Sequence, residues 1–435
     1  MRQQAKDIRR TAVIVVLLLL LGVCVMFYGQ WRGTWKDTLD VCATTLWTLP
    51  VFAVLIGMAH HAAGKGMSGK EYVRQMFCGK PVSGNRSAYL DYTRIFAAAM
   101  VILTHACSMQ TGEDVAAWRT NLLLTCEGIG LVCNPLYVMI SGALLLSAEK
   151  EEGFGEFYFR RFVKVALPMV VYYVIFMCMA GEMSLIPPKN IGKGALQILA
   201  GESGIVPHYW LIYTLLSLYI LAPFARIMVK NLQDKGITVL FFLIILEEIL
   251  VTYLPLAGVE IGFAMTFAGW EGVFLLGYIL TTRRTKWMEY VVLIGGAVSA
   301  VVIPVALILD YSLKNYVCNT APVMVLLAAA ILVGASKMES VLKNKLSTVV
   351  LTLSKYSYSI ILVHWYGLFV VTWGKIGIQP LRFGCIGGIV LTVLTGVTVC
   401  FIMGFLADNT IVLVVQYIAN AIGKIVRRDK RDENY

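Results

Sequence analysis

Arg94 and His105 share one apolar stretch of the chain, which runs from Tyr89 to Met109. A cation and an imidazole inside a membrane helix are costly, and such residues usually serve function. Eleven helical steps of about 100° bring a side chain to within roughly 20° of its starting direction, about 16 Å further along the axis. One helix face therefore carries a positive charge near one end and a titratable base near the other, which indicates chemistry inside a membrane.

Asp91 precedes Arg94 by three residues, which is the spacing of a helical ion pair. The carboxylate either forms that pair for structural reasons or takes part in the chemistry, and both interpretations stay open. Single membrane histidines often only make hydrogen bonds in packing, but the alignment of His105 with Arg94 favours a functional role. We therefore take His105, Arg94 and Asp91 as candidate catalytic residues.

A basic cluster of Arg160, Arg161 and Lys164 stands at the start of a later apolar stretch. Arg161 and Lys164 are three residues apart and share a helix face. Such side chains can simply anchor a helix end among lipid headgroups. Guanidinium groups also bind phosphate oxygens through two hydrogen bonds, so the same cluster is a candidate phosphate clamp.

Several polar and aromatic residues lie within other apolar stretches or at their ends. They are Ser141, His208, Trp210, Tyr213, Tyr358 and His364. Aromatic rings at a membrane boundary usually form an interfacial belt, so Trp210 alone indicates little. His208 is placed to face a substrate at the outer surface. Ser141 either donates a hydrogen bond or, as we prefer, lets two helices pack closely.

Two adjacent carboxyl groups, Glu247 and Glu248, fall near the centre of another apolar stretch. Carboxylates at this depth must be paired, protonated or in contact with water. Pairing with a structural partner such as Arg226, an uncharged state and a proton relay are all open alternatives.

The elements that must position these residues are membrane helices. Of the 435 residues, 58% are hydrophobic and 14% are charged, whereas soluble proteins have about 25% charged residues. Runs of about 20 apolar residues recur along the chain, which predicts an all-α polytopic membrane protein with about twelve transmembrane helices rather than a barrel. The predicted spans are 11–29, 39–63, 88–109, 122–147, 162–181, 208–230, 236–256, 263–281, 287–309, 317–336, 349–373 and 380–407.

The protein is predicted to lie in the cell membrane, with its N- and C-termini in the cytoplasm. The first apolar stretch is interpreted as a retained span, because no small-residue cleavage site follows it. With this orientation most Lys and Arg residues fall in cytoplasmic segments. The net charge of +11 then reflects topology and contact with membrane lipids, not binding of nucleic acid.

The chain is predicted to divide into three parts. Residues 1–87 hold two leading transmembrane helices and a basic cytoplasmic linker, 88–408 a ten-helix membrane domain, and 409–435 a cytoplasmic-side terminal helix with a basic tail. The excursion Glu182 to Pro207 is too short to span and should lie on the outer surface or dip in as a cap. The ten cysteines are expected to be small buried hydrophobes without a metal, a Cys107–Cys126 disulfide being the alternative.

The order of these motifs resembles the acyltransferase 3 family of integral-membrane acyltransferases, in particular its surface-polysaccharide O-acetyltransferase branch. The resemblance covers Tyr89 to about Asp408, ten spans, and five segments carry it. They are the Arg-x10-His motif of Arg94 and His105, the segment Asn134 to Gly142 with Ser141, the basic cluster with Pro168, the run Tyr209, Trp210, Tyr213, Tyr219 and Pro223, and the run from Tyr356 to His364. Lys164 stands where an arginine is common, and the two leading spans lie outside the match.

The resemblance implies an O-acyltransferase that takes an acyl group from cytoplasmic acyl-CoA, most often acetyl-CoA, to a hydroxyl of an envelope glycan or lipid-linked sugar. Donor phosphates would lie on the basic cluster and on Arg94, with the pantetheine arm running up the helix face to His105. His105 would be a general base or a transient acyl carrier. The six other polar and aromatic residues would support the acceptor. No hydrolase-like domain is appended, which favours transfer by the membrane domain itself.

Two other function classes compete with acyl transfer. In a transporter or flippase, the histidines and paired glutamates would handle protons while the basic cluster grips an anionic substrate. A structural or sensing membrane protein would leave the alignment of Arg94 with His105 unexplained. The sequence leaves open the acceptor, the acyl chain length, the oligomeric state and the role of the two leading helices.

Overall fold

The computed structural model describes residues 56–57, 69–78, 86–108, 110, 115–148, 153–185, 188–202 and 204–432. The leading spans predicted at 11–29 and 39–63 lie outside the described residues, apart from Ile56 and Gly57. Helices dominate the described chain, and its sheet is a pair of two-residue strands.

The α-helices are α1 Gly69–Cys78, α2 Ala88–Ser108, α3 Ala117–Gly130, α4 Cys133–Leu146, α5 Phe154–Arg161, α6 Leu167–Met179, α7 Ile191–Ala200, α8 Trp210–Asn231, α9 Asp234–Tyr253, α10 Trp270–Thr282, α11 Lys286–Leu309, α12 Lys314–Val317, α13 Pro322–Lys337, α14 Glu339–Asn344, α15 Thr348–Trp365, α16 Cys385–Asp408 and α17 Ile411–Asp432. Strands β1 Ser184–Leu185 and β2 Pro188–Lys189 pair antiparallel. Two π-helical turns continue α-helices, Phe162–Ala166 after α5 and Tyr366–Lys375 after α15. Short 3₁₀ turns lie at Pro207–Tyr209, Leu254–Ala257 and Tyr311–Leu313.

Six helical segments in the described part of the chain are long and apolar enough to cross a membrane. They are Ala117–Leu146, Phe154–Met179, Pro207–Asn231, Asp234–Ala257, Lys286–Leu309 and Cys385–Gly423. A seventh is possible if Tyr311–Val317 and Pro322–Lys337, which meet at 58°, form one bent span. The chain is thus an all-α, multi-pass membrane protein, and the count of twelve spans stays a prediction.

The helix that carries Arg94 and His105, α2, lies at the centre of the bundle, where it contacts α3, α4, α13, α15 and α16. Ala97, Ala98 and Ala106 on α2 are at most 2% exposed, and their small side chains let the neighbouring helices approach closely. A Cβ added at Gly130 on α3 would lie 3.0 Å from the backbone nitrogen of Thr104. Helix α3 therefore crosses α2 in close contact beside His105.

Close packing also joins α4 and α10, through a glycine on each helix. A Cβ at Gly142 would overlap the carbonyl of Phe274, and a Cβ at Gly277 would overlap the carbonyl of Met139. The backbone of each helix therefore fills the place where the other has no side chain. This contact supports the close-packing alternative for the segment around Ser141.

The span predicted at 263–281 is corrected by the structure, because α10 begins only at Trp270. The preceding loop is held by two carboxylates of α9. Glu247 Oε2 accepts a hydrogen bond from the Phe267 amide at 2.6 Å, and Glu248 Oε2 accepts one from the Gly269 amide at 2.5 Å. The carboxylates thus bind backbone amides that a continuous helix would use internally.

Arg226, the structural partner suggested for these carboxylates, lies elsewhere. Its Nε donates to the Leu145 carbonyl at 2.8 Å, and its guanidinium carbon lies 5.4 Å from the ring centre of Phe157. The interpretation of Arg226 as the partner of Glu247 and Glu248 is therefore wrong. Both carboxylates bind the loop before α10, and Glu248 also hydrogen-bonds the side chains of Thr252 and Thr320.

The excursion Glu182 to Pro207 forms a cap segment over the ends of α6 and α8. Its apolar part is the ten-residue helix α7, too short to cross a bilayer. A Cβ at Gly194 would lie 2.9 Å from the Met183 sulfur, and the Tyr213 hydroxyl donates to the Ile198 carbonyl at 2.6 Å. These contacts dock α7 against its own hairpin and α8.

The free thiols of the described side chains are Cys107, Cys126, Cys133, Cys178, Cys318, Cys385 and Cys400. Most of them are buried, as expected for small hydrophobes. Cys107 and Cys126 contact each other side chain to side chain, so the one pair considered for a disulfide is adjacent but unbonded.

Candidate functional site

Two helices that run side by side, α2 and α15, connect the two ends of the candidate site. At one end the Ser354 hydroxyl donates to Asp91 Oδ1 at 2.6 Å. At the other end the rings of His364 and His105 stack, with centroids 4.9 Å apart. Each pair has one member on α2 and one on α15. Because the two helices run in the same direction, the two pairs lie at opposite ends of the helices.

The far end of α2 is a histidine cluster of His105, His208 and His364, completed by Trp365. The centroids of His208 and His364 are 4.4 Å apart. Trp365 lies 5.6 Å from His105 and 6.1 Å from His208, measured between ring centroids. His208 and His364 are buried, whereas His105 is partly exposed. The structure thus brings together three histidines that are far apart in the sequence.

The backbone fixes the tautomers of two of these rings. Nδ1 of His364 lies 2.6 Å from the Ile361 carbonyl, and Nε2 of His208 lies 3.0 Å from the Leu362 carbonyl. A carbonyl only accepts hydrogen bonds, so each of these nitrogens carries the proton. In the described structure the remaining nitrogens, His364 Nε2 and His208 Nδ1, are buried and have no hydrogen-bond partner. Two acceptor lone pairs are therefore unused within the cluster.

A π-helical segment follows the cluster residues His364 and Trp365 along the chain. The turn Tyr366–Lys375 begins directly after Trp365, and the Thr372 hydroxyl donates to the Gly367 carbonyl at 2.8 Å. Phe369 packs edge-on against Trp365, with centroids 4.6 Å apart. π-helical segments are frequent at functional sites, and this one packs Phe369 against Trp365 of the cluster.

At the near end of α2, Asp91 is bound mainly by Arg86 rather than Arg94. Arg86 donates to both carboxylate oxygens, at 2.6 and 2.7 Å, and these hydrogen bonds raise the pKa of the Arg86 side chain. The Arg94 guanidinium lies 3.6 Å away, beyond hydrogen-bonding distance. Together with the bond from the Ser354 hydroxyl, Asp91 accepts three hydrogen bonds, which supports its structural interpretation.

Arg94 forms an ion pair with Asp91 at 3.6 Å and has tyrosine hydroxyls nearby. Asp91, Tyr219 and Tyr137 are its attractive electrostatic partners. The Tyr219 hydroxyl in turn lies 3.4 Å from the Ser141 hydroxyl. Ser141 therefore belongs to the surroundings of Arg94 and not to the histidine cluster.

The helix face between Arg94 and His105 is packed. Ala98 and Val101, which lie on that face, are 2% and 4% exposed. The expectation that a pantetheine arm runs along this face therefore meets a closed surface. A donor that connects the two ends has to pass beside the face or displace these side chains.

The basic cluster lies on and around the other π turn, Phe162–Ala166. Arg160 pairs with Glu156 one helical turn away, the Arg161 guanidinium carbon lies 5.3 Å from the ring centre of Phe157, and Lys164 is exposed within the π turn. All three residues therefore lie at the C-terminal end of α5 or in the π turn that follows it.

Two side chains from distant helices bind carbonyls of the same π turn. The Tyr358 hydroxyl of α15 donates to the Val165 carbonyl at 2.9 Å, and Gln416 Nε2 of α17 donates to the Val163 carbonyl at 2.9 Å. Tyr358, which was expected to support the acceptor, therefore connects α15 to the basic cluster.

Trp210 and Tyr213 lie apart from the histidine cluster. Trp210 packs on Trp270, with centroids 5.5 Å apart, and Tyr213 binds α7 of the cap segment. Tyr209 is the member of this run that reaches the cluster. Its ring lies 4.7 Å from His208, and its hydroxyl donates to the Leu362 carbonyl at 3.3 Å.

Sequence reasoning missed Glu127, a buried carboxylate beside the cluster. Glu127 Oε1 lies 2.6 Å from Lys314 Nζ and accepts from the Tyr311 hydroxyl at 2.9 Å. The Thr104 hydroxyl donates to the Glu127 carbonyl at 3.0 Å, which places this ion pair next to His105. The sequence did offer a signal for Glu127, since it is a lone carboxylate within the predicted span 122–147. Within the described residues, no group of three His, Cys, Asp or Glu side chains is arranged to hold a metal.

Comparison with known families gives one match. The model of an acyltransferase domain matches residues 87–406, which include both ends of α2, the basic cluster and the three histidines. Comparisons with curated proteins and with solved structures found no match.

Proposed function

Since this chain belongs to the acyltransferase 3 family, we propose that it moves an acyl group, most simply acetyl, from cytoplasmic acyl-CoA to a hydroxyl of an envelope glycan or lipid-linked sugar. Acyl transfer in a membrane is the reaction class of the family. The observation that carries the finer proposal is the histidine cluster, in which partly exposed His105 lies against two buried imidazoles with unused acceptor nitrogens.

His105 serves as the general base in the simplest mechanism. It takes the proton of the acceptor hydroxyl while the oxygen attacks the thioester carbonyl. A carbon–oxygen bond forms, the carbon–sulfur bond breaks, and the proton passes to the leaving CoA sulfur. The alternative is attack by the His105 imidazole itself, which would carry the acyl group before the hydroxyl receives it.

Arg94 and the basic cluster supply the donor side. The Arg94 guanidinium and the side chains of Arg161 and Lys164 suit phosphate oxygens. About 16 Å of helix separate Arg94 from His105, a distance that an extended pantetheine arm spans. In this proposal the Arg94 end of α2 faces the cytoplasm and the histidine cluster faces the other side.

Transfer of radiolabel from acetyl-CoA to a glycan, in vesicles that contain the purified protein, tests the proposal. We expect alkali-labile label on the glycan, as an O-ester requires. Movement of labelled substrate across the membrane without ester formation would favour the transporter alternative. In that alternative Glu247 and Glu248, whose Oε2 atoms accept hydrogen bonds from loop amides, would be the proton carriers.

A further inference from the structure

A polar cavity of about 360 Å³ lies between the cap segment and the end of α6. Its walls carry carboxylates, carboxamides, an ammonium group and a phenol. The side chains that matter here are Tyr173, Glu182, Asn190, Lys193, Gln197 and Glu202. None of these residues belongs to the catalytic or donor-binding sets described above.

The polar cavity adjoins a smaller one that reaches the histidine cluster. The second cavity, about 120 Å³, is lined by Val206, His208 and Trp365 among others. Ile205 lines both cavities. The two cavities therefore adjoin each other at Ile205, and the smaller one reaches His208 and Trp365 of the histidine cluster.

The walls of the polar cavity are tied to the same cluster. The Tyr173 hydroxyl donates to the Glu202 carbonyl, and Asn190 Nδ2 donates to the Glu182 carbonyl at 3.0 Å. The Tyr173 ring packs edge-on against Tyr209, with centroids 5.7 Å apart. Because Tyr209 also contacts His208, a continuous set of rings connects the cavity wall with the cluster.

The chemistry of the walls suits an uncharged polyhydroxyl ligand. Among the described residues, neither Glu182 nor Glu202 takes part in a salt bridge, so their carboxylates can accept hydrogen bonds from hydroxyl groups. The amides of Asn190 and Gln197 donate and accept. Two carboxylates against one ammonium disfavour a phosphate, and the volume lies within the range of about 300–1,000 Å³ of small-ligand sites.

We propose that this cavity binds a sugar residue of the acceptor and directs its hydroxyl past Ile205 toward His105. The inference rests on the proposed function, and it adds to it the place and the class of the acceptor. Glu182, Glu202 and Gln197 are then specificity residues, which bind the sugar without touching the transferred acyl group.

Steady-state transfer to neutral monosaccharides, including glucose, galactose and N-acetylglucosamine, tests the assignment in the full-length protein. We expect Glu182→Gln combined with Glu202→Gln to raise the KM for the sugar at least tenfold. The KM for acetyl-CoA and kcat should change less than twofold. Lys189→Ala, an exposed change on the same cap segment, serves as the matched control and should leave all three constants unchanged.

An unchanged sugar KM in the double variant overturns the inference while leaving acyl transfer intact. A measurement that needs no catalysis separates the two claims. It is the binding of the sugar to the His105→Ala protein, detected by saturation-transfer NMR. Binding should persist in His105→Ala and disappear when the two glutamate changes are added. If binding follows this pattern but the unaltered protein transfers no acetyl group, the proposed function fails and the sugar site stands.

Discussion

The three imidazoles of the histidine cluster differ in what the backbone does to them. His364 and His208 are each held by a carbonyl in one tautomer, while His105 on the central helix is the partly exposed ring. Buried rings with fixed protons are suited to orient a third ring or a substrate hydroxyl. We therefore assign the reacting nitrogen of the proposed mechanism to His105.

Replacing His105 tests this assignment. We expect His105→Ala to lower the transfer rate by a factor of about 10²–10⁴, the usual contribution of a general base. The variant should insert and fold like the unaltered protein, as judged by size-exclusion chromatography. Ser108→Ala, one turn further along α2, is the control and should keep its activity. Full activity of His105→Ala would remove His105 from the mechanism.

Asp91 and Arg86 form the ion pair that determines the stability of the near end of α2. We expect Arg86→Ala to reduce the free energy of unfolding by about 1–3 kcal/mol, because it leaves a buried carboxylate with too few donors. Thermal unfolding in detergent measures the change, and activity per folded molecule should stay within a few-fold of normal. If Asp91→Asn instead abolishes transfer at unchanged stability, Asp91 is catalytic, as the sequence alone also allowed.

At the level of elements, the two π turns lie beside the two polar ends of the site. The turn Phe162–Ala166 presents Lys164 and is bound by Tyr358 and Gln416. The turn Tyr366–Lys375 follows His364 and Trp365 directly. A widened helical turn changes the direction of the side chains around it, so each π turn sets the position of functional groups that an unbroken helix would turn elsewhere.

The basic cluster should act on donor binding. We expect Arg161→Ala combined with Lys164→Ala to raise the KM for acetyl-CoA about tenfold or more, with a smaller loss in kcat, because contacts to the distant phosphates are the same in the ground and transition states. Lys235→Ala removes an exposed positive charge from another helix and controls for net charge. A fall in kcat alone would contradict a phosphate-binding role.

The close contact of α2 with α3 sets the position of His105. We expect Gly130→Val to lower kcat at least tenfold, since the added side chain would meet the backbone of Thr104 and displace the helix beside His105. Gly155→Val is the control, because a Cβ at Gly155 meets no atom within 4 Å. Equal effects of the two substitutions on kcat would show that the α2–α3 contact does not position the base.

At the level of the whole molecule, helical periodicity was enough to predict the alignment of Arg94 with His105. The length of the apolar run was enough to predict that the Glu182 to Pro207 excursion is too short to cross a bilayer. Periodicity carries no information about which helices meet. The convergence of His208 and His364 on His105 depends on the packing of α2, α8 and α15, which no local spacing encodes.

The lack of information about helix contacts also explains where the predictions from the sequence were wrong or incomplete. The ion pair predicted for Asp91 and Arg94, three residues apart, is present at 3.6 Å, whereas the shorter contact of Asp91 with Arg86 was missed because its spacing is less regular. The apolar run 263–281 satisfied a hydropathy criterion, but Glu247 and Glu248 hold its first part as a loop. Lys314 reaches Glu127 only because α12 folds back beside α3.

The proposed orientation of the whole protein is also testable. We expect Lys189→Cys, on the cap segment, to react with a membrane-impermeant maleimide in intact cells, whereas Lys345→Cys should react only after lysis. The unaltered protein provides the background from native thiols. The opposite labelling pattern would place the histidine cluster on the cytoplasmic side and reverse the roles assigned to the two ends.

The closed face of α2 has a consequence for the cell. Ala98 and Val101 fill the space between the two polar ends, so in the resting protein no row of water molecules can follow this face from Arg94 to His105. Protons and small ions therefore find no conducting path along it. If the protein transfers acyl groups as proposed, its closed face preserves the electrochemical gradient of the membrane whenever the donor is scarce.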